Sequence, residues 1–459
     1  MSAQHVAIAG GGLAGLAAGC ALADAGFRIT LIEKRPFVGG RASSYEHPGT
    51  GEVVDNCQHV LLGCCTNLID FYRRTGVADK VRWYDRLTFI EPGGRRSEIS
   101  SSWLPPPFHT ALSFLKASSL CLADKLAIAR AMTIIAQHPL QDTGDNFMQW
   151  LKQHGQTGRA IERFWKVVLV SALNEDLERM SVHYAAQVFR ESFLRSREGG
   201  RMGVPRVPLT ELYGAAVEYI CARGGEVRLR APAESFRAEA GEVRLCVNGQ
   251  ELPCDFAVLA VPFDVLGRLL PQSESARPLS SMLARFETSP ITGIHLWFDR
   301  EITDLDHAVL LDRTIQWMFH KSRLLGRDGP SYVELVVSSS KALVETPRGE
   351  IIEMALRELG EFFPVAREAK LLKATVIKEV HATYSALPGS DAYRPPAATG
   401  WPGVFLAGDW TRSGWPATME GAVRSGYLAA EAVAQAAGRK ATFLVGDLPA
   451  KGLMRICSL

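Results

Sequence analysis

The sequence predicts an α/β protein with more than one domain, and three observations support this fold class. The chain has 459 residues, which exceeds the usual size of a single domain. A short apolar strand at residues 6–9 is followed by a glycine-rich turn, a helix and a second strand at residues 28–32, which together form a βαβ unit. Segments rich in β-branched residues recur between residues 291 and 381, as expected for an antiparallel sheet in a separate domain.

Charge and cysteine content exclude several classes of function. The 51 Lys and Arg residues nearly balance the 49 Asp and Glu residues, so no nucleic-acid partner is expected. The nine cysteines show no metal-ligand or disulfide-framework spacing, which predicts no metal site and a reducing, cytoplasmic location. Residues 6–23 carry no charge but contain five glycines, so they fit a strand, a turn and a helix better than a membrane span.

The first βαβ unit contains the motif Gly10-x-Gly12-x-x-Gly15, and Glu33 follows its second strand. Gly10 permits the sharp turn from strand to helix, Gly12 lets a pyrophosphate approach the backbone, and Gly15 lets helix and strand pack closely. A carboxylate at Glu33 is suited to accept hydrogen bonds from ribose hydroxyls, which favours FAD or NAD over NADP. The unit therefore predicts a dinucleotide site.

A second glycine motif, Gly39-Gly40-Arg41, follows shortly after Glu33. Paired glycines let the backbone pass close to a ligand, and the guanidinium offers a fork of donors suited to pyrophosphate or ribose. We expect this tripeptide to contact the same nucleotide.

A third motif, Gly408-Asp409, follows an apolar strand near the other end of the chain, and residues 418–422 then open a helix. An acid at a strand end can bind the ribityl or pyrophosphate part of a flavin cofactor. Backbone N–H groups at the helix start can face the electron-rich end of the flavin ring. Taken with the N-terminal unit, this motif predicts that the cofactor spans both ends of the chain.

In these three places the sequence resembles the superfamily of flavin-dependent amine oxidases and carotenoid desaturases. The resemblance covers essentially the whole chain, and it implies FAD in a Rossmann-like domain of the GR2 type. It also implies a discontinuous α+β substrate domain, built on a mixed or antiparallel sheet with a helical portion. The cofactor-binding residues that it implies are Gly10, Gly12, Leu13, Ala14, Gly15, Glu33, Lys34, Gly39, Gly40, Arg41, Ala233, Gly408, Asp409, Thr418, Met419 and Ala422.

The same resemblance divides the chain into alternating segments of the two domains. The expected segments are residues 1–80, 201–265 and 395–440 for FAD binding, 81–200 for a helical part of the substrate domain, 266–394 for its sheet, and 441–459 for a C-terminal tail.

Finer features resemble one branch of the superfamily, the hydroxysqualene dehydroxylases. These features are residues 54–64, the tetrapeptide Gly408-Asp409-Trp410-Thr411 and residues 415–426. The resemblance implies that a linear C30 isoprenoid, hydroxysqualene, loses its hydroxyl group and gains hydride, giving squalene in hopanoid or triterpenoid biosynthesis. The chain departs from the wider superfamily at Cys57, where glycine is usual.

Such a reaction needs an apolar tunnel and a proton donor for the leaving oxygen. We hypothesise that Asp55 or His59 is the donor and that Gln58 orients substrate or water. The alternative is that Asp55 caps a turn and His59 bonds the backbone. Trp410 and Trp415 flank the cofactor motif, and they are expected either to line the substrate site or to pack in the core.

Two further partners are expected. The sequence has no second Gly-x-Gly-x-x-Gly motif, so the flavin would be reduced by a diffusible donor such as NADPH. Residues 103–136 are rich in Leu, Phe and Trp, and two interpretations stay open for them: peripheral contact with a membrane, or a buried helix of the substrate domain.

Three other functions remain open. A carotenoid desaturase would run hydride transfer in the opposite direction on the same scaffold. An amine oxidase usually needs an aromatic cage, to which this sequence contributes at most one wall around Trp415. A prenyl-binding escort protein would not use flavin, and the intact glycines with Glu33, Arg41 and Asp409 argue against it.

Overall fold

The computed structural model describes residues 3–142, 144–239, 242–327, 329 and 331–458. Its strands are β1 His5–Ala9, β2 Arg28–Glu33, β3 Ser44–His47, β4 Glu52–Asp55, β5 Leu61–Leu62, β6 Val81–Tyr84, β7 Arg86–Ile90, β8 Arg96–Ser100, β9 Met202–Pro205, β10 Glu226–Leu229, β11 Ala233–Glu239, β12 Glu242–Val247, β13 Gln250–Cys254, β14 Phe256–Leu259, β15 Thr288–Phe298, β16 His307–Leu310, β17 Trp317–His320, β18 Tyr332–Ser338, β19 Leu371–Tyr384 and β20 Val404–Leu406.

Its α-helices are α1 Leu13–Asp24, α2 Thr66–Arg74, α3 Ala111–Lys116, α4 Leu122–Gln137, α5 Phe147–Gln153, α6 Gly158–Ala160, α7 Lys166–Leu173, α8 Val182–Phe189, α9 Leu209–Cys221, α10 Phe263–Leu269, α11 Arg277–Leu283, α12 Lys321–Leu324, α13 Arg348–Phe362 and α14 Met419–Ala436.

A parallel sheet with strand order β10-β2-β1-β14-β20 forms the core of the first domain. Its strands come from the beginning, the middle and the end of the chain. Helix α1 packs against both α9 and α14. Small residues allow this close approach, because a Cβ atom at Gly426 of α14 would lie only 2.3 Å from the carbonyl oxygen of Ala14 in α1. The sheet confirms the predicted Rossmann-like domain.

A seven-stranded sheet with order β19-β15-β18-β17-β16-β7-β8 forms the second domain. Neighbouring strands are antiparallel except β7 and β16, which run parallel, so the sheet is mixed. Helix α13 covers it, and Ile351 and Leu359 of that helix share a core with Ile294 and Leu335. Strands β7 and β8 come from a segment predicted to be helical, because strands of only five residues carry little sequence pattern of their own.

The helical portion is more interrupted than the sequence predicts. Residues 109–136 were expected to be largely helical, but α3 ends at Lys116 and α4 begins at Leu122. The carboxylate of Asp124 accepts a hydrogen bond from the backbone N–H of Cys121 at 2.8 Å, which starts α4 with a capping arrangement. Within the described parts of the chain, no helix combines the length and the apolar composition needed to cross a bilayer.

Candidate active site

A cavity of about 480 Å³ lies between the two domains. Its wall contains the glycine-rich motifs from both ends of the chain together with apolar side chains of the second domain. Every residue that the sequence predicts to bind the cofactor lines this cavity, except Gly15.

The glycine motif forms the turn from β1 into α1. Gly10 has φ +109°, and a Cβ atom there would lie 2.3 Å from the carbonyl oxygen of Ala260. A Cβ atom at Gly15 would lie 1.9 Å from the carbonyl oxygen of Gly10, so Gly15 is required for helix–strand packing. At Gly12 the nearest atom to such a Cβ would be 3.9 Å away, in Gly40, and no side chain caps the helix start. This open helix N-terminus fits a pyrophosphate in space and in charge.

Glu33 lies at the end of β2 with its side chain buried. Its carboxylate accepts hydrogen bonds from the backbone N–H groups of Gly11 at 2.7 Å and Arg35 at 2.8 Å. Because a carboxylate can accept about four hydrogen bonds, capacity remains for ribose hydroxyls. The backbone N–H of Ala231 donates to the carbonyl oxygen of Glu33 at 2.9 Å, which brings the cavity-lining Ala233 to the same end of the cavity.

Arg41 and Asp409 join the two ends of the chain. The Nη2 atom of Arg41 lies 2.5 Å from the Oδ1 atom of Asp409, and its Nη1 donates to the carbonyl oxygen of Ala382 at 3.0 Å. Burial alone would lower the pKa of Arg41, but Asp409 raises it above its usual value. The backbone N–H of Gly39 also donates to the carbonyl oxygen of Gly11 at 2.8 Å, so the three motifs meet in one place.

The start of α14 forms the cavity wall beside Gly408. The Thr418 hydroxyl caps this helix by accepting the N–H of Gly421 at 3.0 Å. The Ser425 hydroxyl accepts the N–H of Gly408 at 2.8 Å, which fixes the Gly-Asp motif against the helix. Thr418 and Met419 line the cavity, so the partial positive charge of the helix start lies at the cavity wall.

Arg394 holds the loop that follows Asp409, although it belongs to no motif that is recognisable in the sequence. Its side chain is fully buried, and its guanidinium donates to the carbonyl oxygens of Asp409 at 2.9 Å, Thr411 at 2.5 Å and Trp415 at 2.7 Å. These carbonyl groups lie in a loop without a strand or helix partner, so the arginine supplies their hydrogen bonds. The cavity-lining Trp415 is positioned by this network.

The residues at this end of the cavity fit a dinucleotide. The open start of α1 suits phosphate groups, Glu33 suits ribose hydroxyls, and the start of α14 suits the electron-rich part of a flavin. Among the residues that the structure describes, no three His, Cys, Asp or Glu side chains are grouped closely enough to hold a metal ion.

The other part of the cavity is apolar. Strands of the seven-stranded sheet and helices α7 and α8 contribute to it, and Trp317 donates its indole N–H to the Ser171 hydroxyl at 2.7 Å, which joins the sheet to α7. Such a wall suits an elongated apolar molecule. The apolar lining residues include Leu87, Phe89, Val167, Val168, Ala172, Val188, Phe193, Met202, Ile291, Val309 and Trp317.

Residues 56–59 connect the cofactor motifs to the apolar wall. The amide of Asn56 donates to the carbonyl oxygen of Arg41 at 2.5 Å. The side chain of Cys57 belongs to an apolar cluster with Met202 and Phe319. The segment is therefore in contact with both parts of the cavity.

The side chains of Gln58 and His59 line the cavity and are fixed by hydrogen bonds. The Nδ1 atom of His59 lies 2.7 Å from the carbonyl oxygen of Cys57. A carbonyl oxygen only accepts, so Nδ1 carries the hydrogen and Nε2 is the acceptor in the neutral ring. Burial lowers the pKa of His59, which favours this neutral form. Gln58 donates to the carbonyl oxygen of His59 at 3.0 Å and accepts from Lys321 at 2.7 Å.

Lys321 belongs to a buried charge cluster behind this segment, which we define as Asp55, Lys321 and Glu334. Its Nζ atom lies 2.6 Å from the Oδ2 atom of Asp55 and 3.6 Å from the Oε2 atom of Glu334. Asp55 also accepts hydrogen bonds from the Ser44 hydroxyl at 2.6 Å and the backbone N–H of Leu209 at 3.3 Å. The side chains of Asp55, Lys321 and Glu334 are at most 6% exposed.

The protonation states in the charge cluster follow from burial and from the ammonium group. Burial would raise the pKa of Asp55, but Lys321 and the hydrogen bonds bring it below its usual value. Burial would lower the pKa of Lys321, but the two carboxyl groups raise it. Burial raises the pKa of Glu334 from 4.5 to about 8, although Lys321 opposes the change. Burial therefore favours the protonated form of Glu334, while the ion pair between Asp55 and Lys321 favours the ionised forms of those two groups.

The positions of Asp55 and His59 change the proton-donor roles that the sequence predicts for them. Asp55 does not line the cavity, and its ionised carboxylate is held by Lys321, so its position does not support direct proton donation to a substrate. His59 does line the cavity, but as a neutral ring it is an acceptor and must first be protonated to donate. Trp410 and Trp415 both line the cavity while remaining buried.

Neither Lys321 nor Glu334 belongs to a motif that is recognisable in the sequence. The position of Glu334 in the mostly apolar strand Tyr332–Ser338 could have indicated the charge cluster, since a buried acid in such a strand requires a buried partner. The identity of that partner depends on the pairing of β17 with β18, which places the Lys321 segment beside it.

The parallel sheet, the glycine turn at α1 and the cavity between two domains define an α/β protein of the dinucleotide-binding class. The chain belongs to the family of flavin-containing amine oxidoreductases, whose sequence pattern matches residues 13–434. It is an FAD-dependent oxidoreductase.

Relatives and solved structures extend over most of the chain. The 15-cis-phytoene desaturase of Synechococcus elongatus is 28% identical, covering 94% of this chain and 96% of that protein. A probable zeta-carotene desaturase of the same species is 27% identical, covering 94% of this chain and 99% of that protein. The crystal structure of an oxidoreductase from Methanosarcina mazei has a TM-score of 0.73 at 17% identity, covering 94% of this chain and 100% of that chain, which supports the fold.

Proposed function

We propose that the protein transfers hydride between FAD and a linear isoprenoid. The observation that carries this proposal is the continuity of one cavity from the cofactor motifs to a long apolar wall. When bound, FAD supplies the hydride exchange. The apolar wall suits a hydrocarbon chain, because binding there removes apolar surface from water.

We assign the parts of FAD to the residues that fit them. Glu33 and Ala233 hold the adenosine part, the open helix start at Gly12 holds the pyrophosphate, and Asp409 with the start of α14 holds the flavin part. The other cofactor-binding residues predicted from the sequence keep that role, with Gly15 acting through helix packing.

Desaturation is one candidate reaction, and the names of the relatives favour it, since several are 15-cis-phytoene desaturases and one is a probable zeta-carotene desaturase. In this direction an isoprenoid loses a hydride to FAD and a proton to a base, and a carbon–carbon double bond forms. The free Nε2 acceptor of neutral His59 is suited to take that proton.

Reductive removal of a hydroxyl group is the second candidate. The resemblance of residues 54–64 and 415–426 to hydroxysqualene dehydroxylases favours it. The Nε2 acceptor of His59 on the cavity wall also favours it, since a pure hydrocarbon would offer this nitrogen no hydrogen-bond donor. Hydroxysqualene and reduced FAD would give squalene, water and oxidised FAD, with hydride added to the carbon and a proton to the leaving oxygen.

In this second reaction His59 would carry the proton to the leaving oxygen from Nε2, while its Nδ1 stays bonded to the Cys57 carbonyl. The flavin would then need a reductant. A diffusible donor such as NADPH fits, because the sequence offers no second dinucleotide motif.

Anaerobic incubation tests the proposal and separates the two reactions. Oxidised holoprotein would be mixed with phytoene, and reduced holoprotein with hydroxysqualene, each with free FAD as the control. Mass spectrometry would identify the product, and flavin absorbance would follow the redox change. Squalene supports removal of the hydroxyl group, and a desaturated phytoene supports desaturation. Turnover of a polyamine with neither isoprenoid consumed would contradict the proposal.

A further inference from the structure

An exposed apolar surface lies on the helical portion of the second domain. The seven most exposed large apolar side chains of the described residues are all found there, although they come from two distant parts of the sequence. We call this surface the apolar platform. It comprises Trp103 (78% exposed), Ile456 (70%), Leu122 (67%), Leu126 (63%), Leu115 (59%), Phe108 (53%), Leu453 (50%) and Leu112 (42%).

The parts of the apolar platform are joined by direct contacts. The backbone N–H of Leu453 donates to the carbonyl oxygen of Pro106 at 3.0 Å, which brings the C-terminal segment to the loop that carries Trp103 and Phe108. The C-terminal turn Gly452–Ser458 also packs against α4. Lys125 of α4 donates to the carbonyl oxygen of Leu115 at 2.7 Å, which joins α3 to α4. The segments that carry the apolar platform are thus adjacent in the fold, and such a grouping of exposed apolar side chains is typical of an interaction surface.

The exposed charged side chains within the platform's own segments, residues 101–136 and 452–456, are basic. Beside them the exposed Glu198 is paired with Lys451 at 2.7 Å. Lys116, Arg130 and Arg455 are exposed, and Arg130 continues the outer stripe of α4 four residues after Leu126. The only acid within residues 101–136 is Asp124. Its side chain is buried, and it binds the Thr157 hydroxyl at 2.6 Å. A cationic rim around an apolar face suits an anionic bilayer surface, where long basic side chains reach the headgroups.

A row of aromatic rings connects helix α3, which is part of the platform, to the cavity. The ring of Phe114 in α3 lies 5.7 Å from that of Phe164, and Phe164 lies 5.4 Å from Phe189. Phe189 in turn lies 5.9 Å from Phe193, which lines the apolar part of the cavity. These ring contacts therefore extend from α3, which carries Leu112 and Leu115 of the platform, to the apolar part of the cavity.

We propose that the apolar platform docks the protein on the surface of a bilayer that contains anionic lipids. A second copy of the chain is a poorer occupant, because a symmetric contact would bring two sets of basic side chains, Lys116, Arg130 and Arg455 of each copy, into one interface. The proposal concerns where the protein binds, and it holds for either candidate reaction.

Co-sedimentation of the holoprotein with lipid vesicles tests this proposal. One set of vesicles would contain phosphatidylcholine only, and the other would add phosphatidylglycerol. The test variant is Leu122→Ser, Leu126→Ser and Ile456→Ser together. The matched control is Leu229→Ser, Val365→Ser and Leu372→Ser, which changes side chains that are 41%, 46% and 48% exposed elsewhere on the surface.

The wild-type protein and the control should bind the anionic vesicles, and the platform variant should bind at least about tenfold more weakly, since its buried apolar area is lost. A second variant, Lys116→Gln with Arg130→Gln, should lose most of the preference for anionic over neutral vesicles. Flavin absorbance of each variant reports whether the fold is retained.

Three results would overturn the proposal: no vesicle binding by the wild-type protein, equal binding by the platform variant and the control, or a wild-type dimer in sedimentation velocity that the platform variant converts to a monomer. None of them bears on the isoprenoid reaction, which is measured with detergent-dispersed substrate.

Discussion

Arg41 and Asp409 are 368 residues apart in the sequence, and their side chains form an ion pair with an Nη2–Oδ1 distance of 2.5 Å. The Asp409 side chain is nearly buried, and the Arg41 side chain is about one-third exposed. The pair fixes the Gly-Gly-Arg motif of the N-terminal part against the Gly-Asp motif of the C-terminal part. Both residues line the same cavity, so a ligand that binds one motif also lies close to the other.

Replacing Asp409 by Asn should weaken FAD binding. The variant removes the charge that holds Arg41, and a hydrogen bond to a charged group contributes about 1.5–3 kcal/mol, so we expect a loss of about 10- to 100-fold in affinity. Fluorescence titration of apoprotein with FAD measures it. The control is Asp306→Asn, which removes an ion pair with Arg323 at 3.0 Å outside the cavity wall. Equal FAD affinity in both variants would show that the Arg41–Asp409 pair does not organise the site.

Replacing Lys321 by Met should destabilise the protein by about 3–5 kcal/mol, because Asp55 would be left as a buried carboxylate without its partner. Urea unfolding followed by circular dichroism measures the change. Lys373→Met is the matched control, since it removes an exposed pair with Glu52 and should cost at most about 1 kcal/mol. Similar losses in the two variants would contradict the account of the charge cluster.

Glu334 should make stability depend on pH. Burial raises its pKa from 4.5 in the unfolded chain to about 8 in the folded protein, so the folded state keeps a proton that the unfolded chain releases. Its contribution to stability is complete below about pH 4.5 and is lost as the pH rises toward about pH 8.

Glu334→Gln cannot titrate, so its urea midpoint should fall less than that of the wild-type protein between about pH 5 and about pH 8. The exposed Glu368→Gln serves as the control and should follow the wild-type curve. Parallel curves for wild type and Glu334→Gln would mean that Glu334 is ionised in the folded protein at neutral pH.

His59→Gln should lower turnover by about 10²- to 10⁴-fold, the usual contribution of an acid–base group. Burial lowers the pKa of His59, so the ring loses its added proton at a pH below the usual histidine range. A reaction that needs His59 as proton donor should therefore slow as the pH rises through that interval, and one that needs it as base should accelerate. The pH profile of single-turnover rates distinguishes them, and an unchanged rate in His59→Gln would remove this residue from catalysis.

The sequence predicts those parts of the fold and site that depend on local patterns. The turn from β1 to α1 follows from Gly10 and Gly15, for which any side chain would collide with the backbone. Strands β15, β17, β18 and β19 follow from their β-branched composition, whereas β16 was not predicted, and Glu33 follows from its place at a strand end. The meeting of Arg41 with Asp409 could be predicted because both motifs were matched to one ligand.

The buried polar contacts could not be predicted, because they depend on how distant segments meet. Arg394 carries no motif, and its partners are backbone carbonyl groups that identify it only once the loop has folded. Asp55 was placed in the site because it is close to His59 in sequence. In a strand, however, adjacent side chains point to opposite faces, and Asp55 ends β4 facing Lys321 and not the cavity.

A crystal structure of the FAD-bound protein tests the central claim most directly, namely that both ends of the chain hold one cofactor between the two domains. We expect the adenosine part beside Glu33, the pyrophosphate at Gly12, and the flavin ring between the start of α14 and residues 56–59. Electron density for the flavin outside this cavity, or contacts to only one end of the chain, would contradict the account.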